Sequence, residues 1–374
     1  MRRIAREPFQ DKRRKFKSSV SSQNRSSPTT LLCCEVLQGV KPFACQELLN
    51  RFGKSISILP GDDPETIFFR YRGDLHELLR LRTIVAVYLV QHFPVPRPRA
   101  LLGQQHFQAL LQQIETVRHL YPPRTFTSFR VSAAGEDSST FARIKAEISQ
   151  ATGLTFNPEE GELLIRIRPS SLQTNGWELL TRISFRPLSV RPWRVHNMEG
   201  ALNATIAAVM IEMTSPRPND RFLNLMCGSG TILIERLLRC PARVAIACDN
   251  DTAALAAARE NLRASNLTAP VELLHMDASA LQFPPGAFNA ICADLPWGQL
   301  VGSHRQNAAL YPRVLAEAAR VATPRARLVL LTHEIKLFES VLQDCTEWAL
   351  QDVVKIFQGG LHPRIYLFQR AGSR

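Results

Sequence analysis

Residues 221–370 alternate short apolar strands with helices in near-regular order, and that alternation leaves few folds open. Apolar, β-branched runs at 221–225, 243–248, 271–275, 288–293, 326–332, 349–357 and 364–369 read as strands. Helical patterns at 231–239, 252–264, 307–322 and 336–344 lie between them. Strands that are apolar on both faces need helices above and below, so an α/β fold with a mostly parallel seven-stranded sheet is expected. Only residues 358–363 separate the last two strands, too few for a crossover helix, so this pair is expected to run antiparallel.

The preceding residues read as smaller α+β units. Strands at 31–37, 54–59, 66–72 and 83–90 alternate with helices at 42–52 and 75–81, giving a first domain over 31–95. Pro94, Pro96 and Pro98 then predict an extended, non-helical connector and a boundary. A second unit over 100–195 has helices at 104–119 and 140–152 and strands at 125–132, 163–168 and 177–185. A helix over 199–213 and a Pro-containing loop lead into the third, 199–374.

Of a net charge of +13, more than half lies in residues 1–30, which hold nine Lys/Arg, two acids and many serines and predict a disordered basic tail. The longest apolar run, Ile84 to Val90, is far short of the roughly 20 residues that span a bilayer. The eight cysteines form no C-x-x-C pair, so no metal is expected, and free thiols suit a reducing cytoplasm.

The residues with chemistry to offer fall at strand ends. Asn224-Leu225-Met226-Cys227-Gly228-Ser229-Gly230-Thr231 follows the first strand of the 221–370 region and opens into a helix, with glycines that allow a sharp turn and close approach to a ligand. Asp249 ends the next strand, where an acid accepts hydrogen bonds from ribose hydroxyls. Asp277 and Ala278 follow the third strand, and Asp294-Leu295-Pro296-Trp297-Gly298 the fourth. Leu233 stands where a dinucleotide fingerprint needs its third glycine, and no G-x-x-x-x-G-K-[ST] is present, so a nucleoside without phosphates, S-adenosylmethionine, fits better. Asp294 and the Leu295 carbonyl can accept the two protons of a base amine while Trp297 stacks on a flipped base and Pro296 fixes the turn. Guanine offers two adjacent donors, N1 and N2, to a carboxylate; adenine offers an acceptor beside its amine, so Asp favours guanine.

Cys227-Gly228-Ser229-Gly230-Thr231-Ile232-Leu233-Ile234-Glu235 and Asp294-Leu295-Pro296-Trp297-Gly298 resemble the class I, Rossmann-like methyltransferases that modify exocyclic amines of nucleic-acid bases. The stretch 71–83, Arg191-Pro192-Trp193-Arg194 and Gly200-Ala201-Leu202-Asn203 are similar to the THUMP-domain RNA guanine-N2 methyltransferases, and the segment 302–312 to the branch acting on guanine 6 of the tRNA acceptor stem. The resemblance implies a ferredoxin-like domain over 31–95, a THUMP domain over 100–195, and tRNA as partner. It further implies a cofactor shell of Asn224, Met226, Cys227, Gly228, Gly230, Thr231, Asp249, Asn250, Asp277, Ala278, Gly200 and Leu202, and RNA contacts at Arg191, Arg194, His304 and Arg305. The family has Asp-Pro where Asn224-Leu225 stands, removing a charge that would pair with the cofactor's ammonium. Two alternatives stay open: guanine-N2 methylation of another tRNA position or of ribosomal RNA, and an RNA-binding protein with a vestigial methyltransferase domain.

Overall fold

The computed structural model describes residues 29–298 and 303–371. The expected disordered tail therefore lies, but for its last two residues, outside the described residues, as does Gly302.

The N-terminal strands are β1 (Thr30–Glu35), β2 (Ile56–Ile58), β3 (Thr66–Tyr71), β4 (Ala86–Phe93), β5 (Ser128–Ser132), β6 (Thr155–Phe156), β7 (Leu163–Pro169) and β8 (Trp177–Arg182). They form one sheet in the order β2-β3-β1-β4-β8-β7-β5-β6. The boundary expected at 93–99 does not divide it: β4 pairs antiparallel with β8 from Tyr88 opposite Arg182 to Phe93 opposite Trp177. Helices α1 (Lys41–Phe52), α2 (Gln104–Arg118) and α3 (Ser139–Thr152) pack on one face, and a single core runs from Leu32 and Leu48 through Ile114 to Phe129 and Ile165. The proline connector also departs from expectation. Pro98 opens a 3-10 turn, Pro98–Leu102, because the first turn needs no N–H from it, and Leu101 is buried beneath.

The second half has the expected sheet. Its elements are α4 (Ala204–Met213), β9 (Arg221–Leu225), α5 (Thr231–Arg239), β10 (Val244–Asp249), α6 (Thr252–Ala264), β11 (Glu272–His275), β12 (Phe288–Asp294), α7 (His304–Val321), β13 (Ala322–Thr332), α8 (Ile335–Gln343), β14 (Trp348–Lys355) and β15 (Arg364–Arg370). Strand order is β11-β10-β9-β12-β13-β15-β14, the first five strands parallel and β15 antiparallel to both its neighbours. Ile206, Met210 and Leu233 fill one face of the sheet, and Tyr311, Val314 and Phe338 the other. The helix expected from residue 199 starts only at Ala204, where Asn203 Oδ1 accepts the Thr205 amide at 2.8 Å and caps it. Residues 199–203 are thus left as loop.

Charge joins the halves. Glu235 on α5 has no exposed side-chain surface and accepts Arg82 Nε at 2.7 Å and Arg191 Nε at 2.9 Å. Arg191 Nη2 in turn donates to the Arg82 carbonyl at 2.6 Å. A carboxylate so far from water needs such cations and donors around it.

Candidate active site

The carboxyl ends of β9, β10, β11 and β12 open on one cavity of about 910 Å³, at the upper end of the range for small-molecule sites. The 198–203 loop, the α7 face bearing Asn307, Leu310 and Arg313, and the β14–β15 connection complete its wall. The delayed start of α4 is what places Gly200 and Leu202 there.

The β9–α5 turn is built on positive φ angles. Met226 has φ +48°, Gly228 φ +52° and Gly230 φ +83°, a left-handed region where a side chain is strained. A Cβ at Gly230 would press on Ala258 at 3.2 Å, so this glycine also lets α5 and α6 approach. A Cβ at Gly228 would meet nothing within 4 Å, because this glycine faces the cavity. Asp249 ties the turn down: Oδ2 accepts the Gly228 amide at 2.8 Å and Oδ1 the Asp251 amide at 3.0 Å. Each oxygen keeps a lone pair for a further donor. Asp277 is exposed on the cavity wall and Oδ1 accepts the Ser279 amide at 2.7 Å, leaving Oδ2 toward solvent. Cys227, Thr231, Asn250 and Ala278 also line the cavity, and burial pushes the Cys227 thiol well above its ordinary range.

At the end of β12, Asp294 is half-buried, and burial pushes its carboxyl up to about 7 against the opposing pull of the Trp297 hydrogen bond. Trp297 Nε1 donates to Asp294 Oδ1 at 3.0 Å, which leaves Oδ2 for a ligand. The Leu295 amide donates to the Leu331 carbonyl at 2.9 Å, holding the segment to β13. The Pro296 carbonyl is occupied by Asn307 Nδ2 at 2.9 Å and the Tyr311 hydroxyl at 2.5 Å. The Leu295 carbonyl accepts no hydrogen bond among the described residues, so it is the acceptor available beside Asp294. Asn307 and Tyr311, which fix this turn from α7, lie in the 302–312 segment that the sequence marked by resemblance alone, with no role read for either.

Several expected residues lie elsewhere, Gly230 among them, which packs against Ala258 of α6 and does not line the cavity. Asn224 is fully buried in β9 and does not line the cavity; its Nδ2 contacts the Leu225 and Cys292 carbonyls at 3.1 and 3.2 Å. The missing charge at this position therefore falls among buried groups behind the cavity lining. Arg191 is not at the surface: its guanidinium is buried against Glu235. Arg194 is half-buried, and its Nη2 donates to the Leu202 carbonyl and Thr231 Oγ1 at 2.7 and 2.8 Å, so it braces the cavity wall from behind. His304 and Arg305 are exposed at the start of α7, outside the cavity lining, with His304 Nδ1 2.9 Å from Glu334 Oε2.

Comparison with known proteins agrees with this architecture. Residues 191–364 match the family model of the RMKL-like methyltransferase domain. The human tRNA (guanine(6)-N(2))-methyltransferase THUMP3 is 34% identical over 183 residues, 45% of this chain and 36% of that protein. The chain thus matches little more than a third of the length of that relative and of its bovine and mouse counterparts. The Thermus thermophilus tRNA (guanine(6)-N2)-methyltransferase is 27% identical over 292 residues, 75% of this chain and 84% of that one. Among solved structures, TrmN from Thermus thermophilus superposes with a TM-score of 0.70 at 22% identity, covering 92% of this chain and all of TrmN. SMU.472 in complex with SAH gives 0.63 at 16% identity, covering 92% and 99%. These two likenesses speak to the fold.

Proposed function

We propose that this chain, whose residues 191–364 carry an RMKL-like methyltransferase domain, transfers a methyl group from S-adenosylmethionine to the exocyclic N2 of a guanine in tRNA, at nucleotide 6 of the acceptor stem. The observation that carries the reading is the half-buried Asp294 beside a free Leu295 carbonyl and the Trp297 indole, on the same cavity as the Gly228 turn.

The cavity residues fit the cofactor's chemistry. Gly228 opens space where a side chain would intrude, Asp249 retains acceptor capacity for ribose hydroxyls, and Asp277 Oδ2 is available to an amino group. When bound, the cofactor supplies an electrophilic methyl. The chain's own part is orientation. Asp294 Oδ2 and the Leu295 carbonyl accept hydrogen bonds from the guanine amine, turning the N2 lone pair toward the methyl; the N2–C bond forms as the sulfonium C–S bond breaks, the proton that N2 then sheds passes to Asp294, and Trp297 stacks on the flipped base. No covalent attack by a side chain is required.

The N-terminal sheet, read as fused ferredoxin-like and THUMP segments, holds the RNA. Relatives at 27% and 34% identity named for guanine 6 support that position, and the U6 snRNA guanine-N2 methyltransferase THUMPD2 of cattle, 30% identical over 141 residues, keeps another RNA as the competing substrate. Incubating the chain with labelled S-adenosylmethionine and unmodified tRNA, ribosomal RNA and U6 snRNA separately tests the proposal. Label in tRNA at guanine 6 supports it; label only in another RNA reassigns the substrate.

A further inference from the structure

His333 is absent from every motif of the sequence, yet it sits against the aromatic residue of the site. It follows the last residue of β13 directly, so the strand that neighbours β12 delivers it to the same sheet edge as Asp294. Its ring lies over the Trp297 indole with centroids 5.7 Å apart and planes inclined by 27°, an offset stack. Trp297 lines the cavity and His333 does not. The imidazole therefore covers one face of the indole from outside the cavity lining. Two further restraints act on the same tryptophan: its Nε1 is held by Asp294, and its neighbour Gly298, at φ +73°, packs so close to Glu334 that a Cβ there would run into Glu334 Oε1. Residues 332–334 at the end of β13 thus back the whole 294–298 turn, with Thr332 Oγ1 3.1 Å from the Tyr311 hydroxyl that holds Pro296.

We infer that His333 is a positioning residue for base recognition: by stacking on the outer face of Trp297, it holds the indole in the one orientation in which its inner face can receive a flipped nucleobase. The inference rests on the proposed function, since it needs a base to be stacked. It asks nothing of imidazole protonation. A flat aromatic ring of similar size should serve, whereas a small side chain should let the indole turn away into the vacated space.

The test compares wild type, His333→Ala and His333→Phe, each assayed for S-adenosylmethionine affinity, tRNA affinity and single-turnover methyl transfer. His333→Ala is expected to slow transfer about 3- to 10-fold, the size of one aromatic pairing, with cofactor Kd unchanged. His333→Phe is expected to restore the rate to within about twofold of wild type. Full activity in His333→Ala, or a Phe variant as slow as the Ala variant, overturns the inference, as does a matching loss of cofactor affinity, which would mean a general disturbance of the fold. Should His333→Ala fail to fold, the Phe variant alone decides, because ring packing predicts near-normal transfer and a specific imidazole role predicts its loss. Wild type inactive on tRNA, with label appearing in no RNA, would instead defeat the functional reading itself.

Discussion

Trp297 Nε1 donates to Asp294 Oδ1 at 3.0 Å, so the aromatic face and the carboxylate of the site are fixed to each other before any ligand arrives. Oδ1 already accepts that bond, and the carboxyl must be ionised for both of its oxygens to act as acceptors toward a base. Burial has raised this carboxyl to about 7, which makes ionisation a condition of activity near neutrality. The rate constant kcat/KM should therefore climb as pH rises through about 7 and level off above 8. Measured with an Asp294→Asn variant alongside, the climb should vanish together with most of the activity.

The same group bears on stability. Its pKa in the folded chain is about 7 against 3.8 unfolded, so folding favours the protonated form. Its contribution is full below the unfolded value and is lost as pH rises through the folded one, where a buried carboxylate costs up to about 4 kcal/mol at 1.36 kcal/mol per unit. Asp294→Asn should be more stable than wild type at pH 8, and the advantage should shrink steadily toward pH 4. Denaturant unfolding across that range checks the sign; an advantage that grows on acidification would refute the assignment.

The two glycines of the β9–α5 turn should separate binding from folding. Gly230→Ala combines a left-handed φ with a 3.2 Å approach to Ala258, and should lower stability by about 2 kcal/mol. Gly228→Ala meets no neighbour, so only its φ of +52° counts, at about 1 kcal/mol; its methyl enters the cavity, and S-adenosylmethionine affinity should fall at least tenfold. Calorimetric titration and thermal melts of both variants give the comparison.

Glu235→Gln should weaken the union of the two halves. Removing the charge leaves Arg82 and Arg191 facing a neutral amide in a site with no exposed carboxylate surface, at a cost of about 3–5 kcal/mol. Glu260→Gln, which breaks only the exposed pair with Arg263, should cost less than about 1 kcal/mol. Equal melting temperatures for the two variants would count against the clamp.

Glu235 also marks where sequence reading stops. The sheet of residues 221–370 was legible because strand and helix periods alternate locally, and the strand-end acids follow from that period. The fusion of β4 with β8 was not, because it joins residues some ninety positions apart with nothing local to announce it. Arg191 looked like a surface cation, since its sequence neighbours Pro192 and Arg194 are polar or turn-forming; only the folded chain brings Glu235 to it. Asn224 sat in the right motif, but alternation along β9 turns its side chain into the sheet. His333, Asn307 and Tyr311 come from elements packed beside the 294–298 turn, and their roles exist only through that packing.

The most direct test of the central claim sets wild type beside Asp294→Ala on one preparation of unmodified tRNA with S-adenosylmethionine, followed by mass spectrometry of the digested nucleosides. Wild type should yield N2-methylguanosine and the variant none, with S-adenosylmethionine still bound by both. A methyl group on any other atom, or equal product from the two proteins, would contradict it.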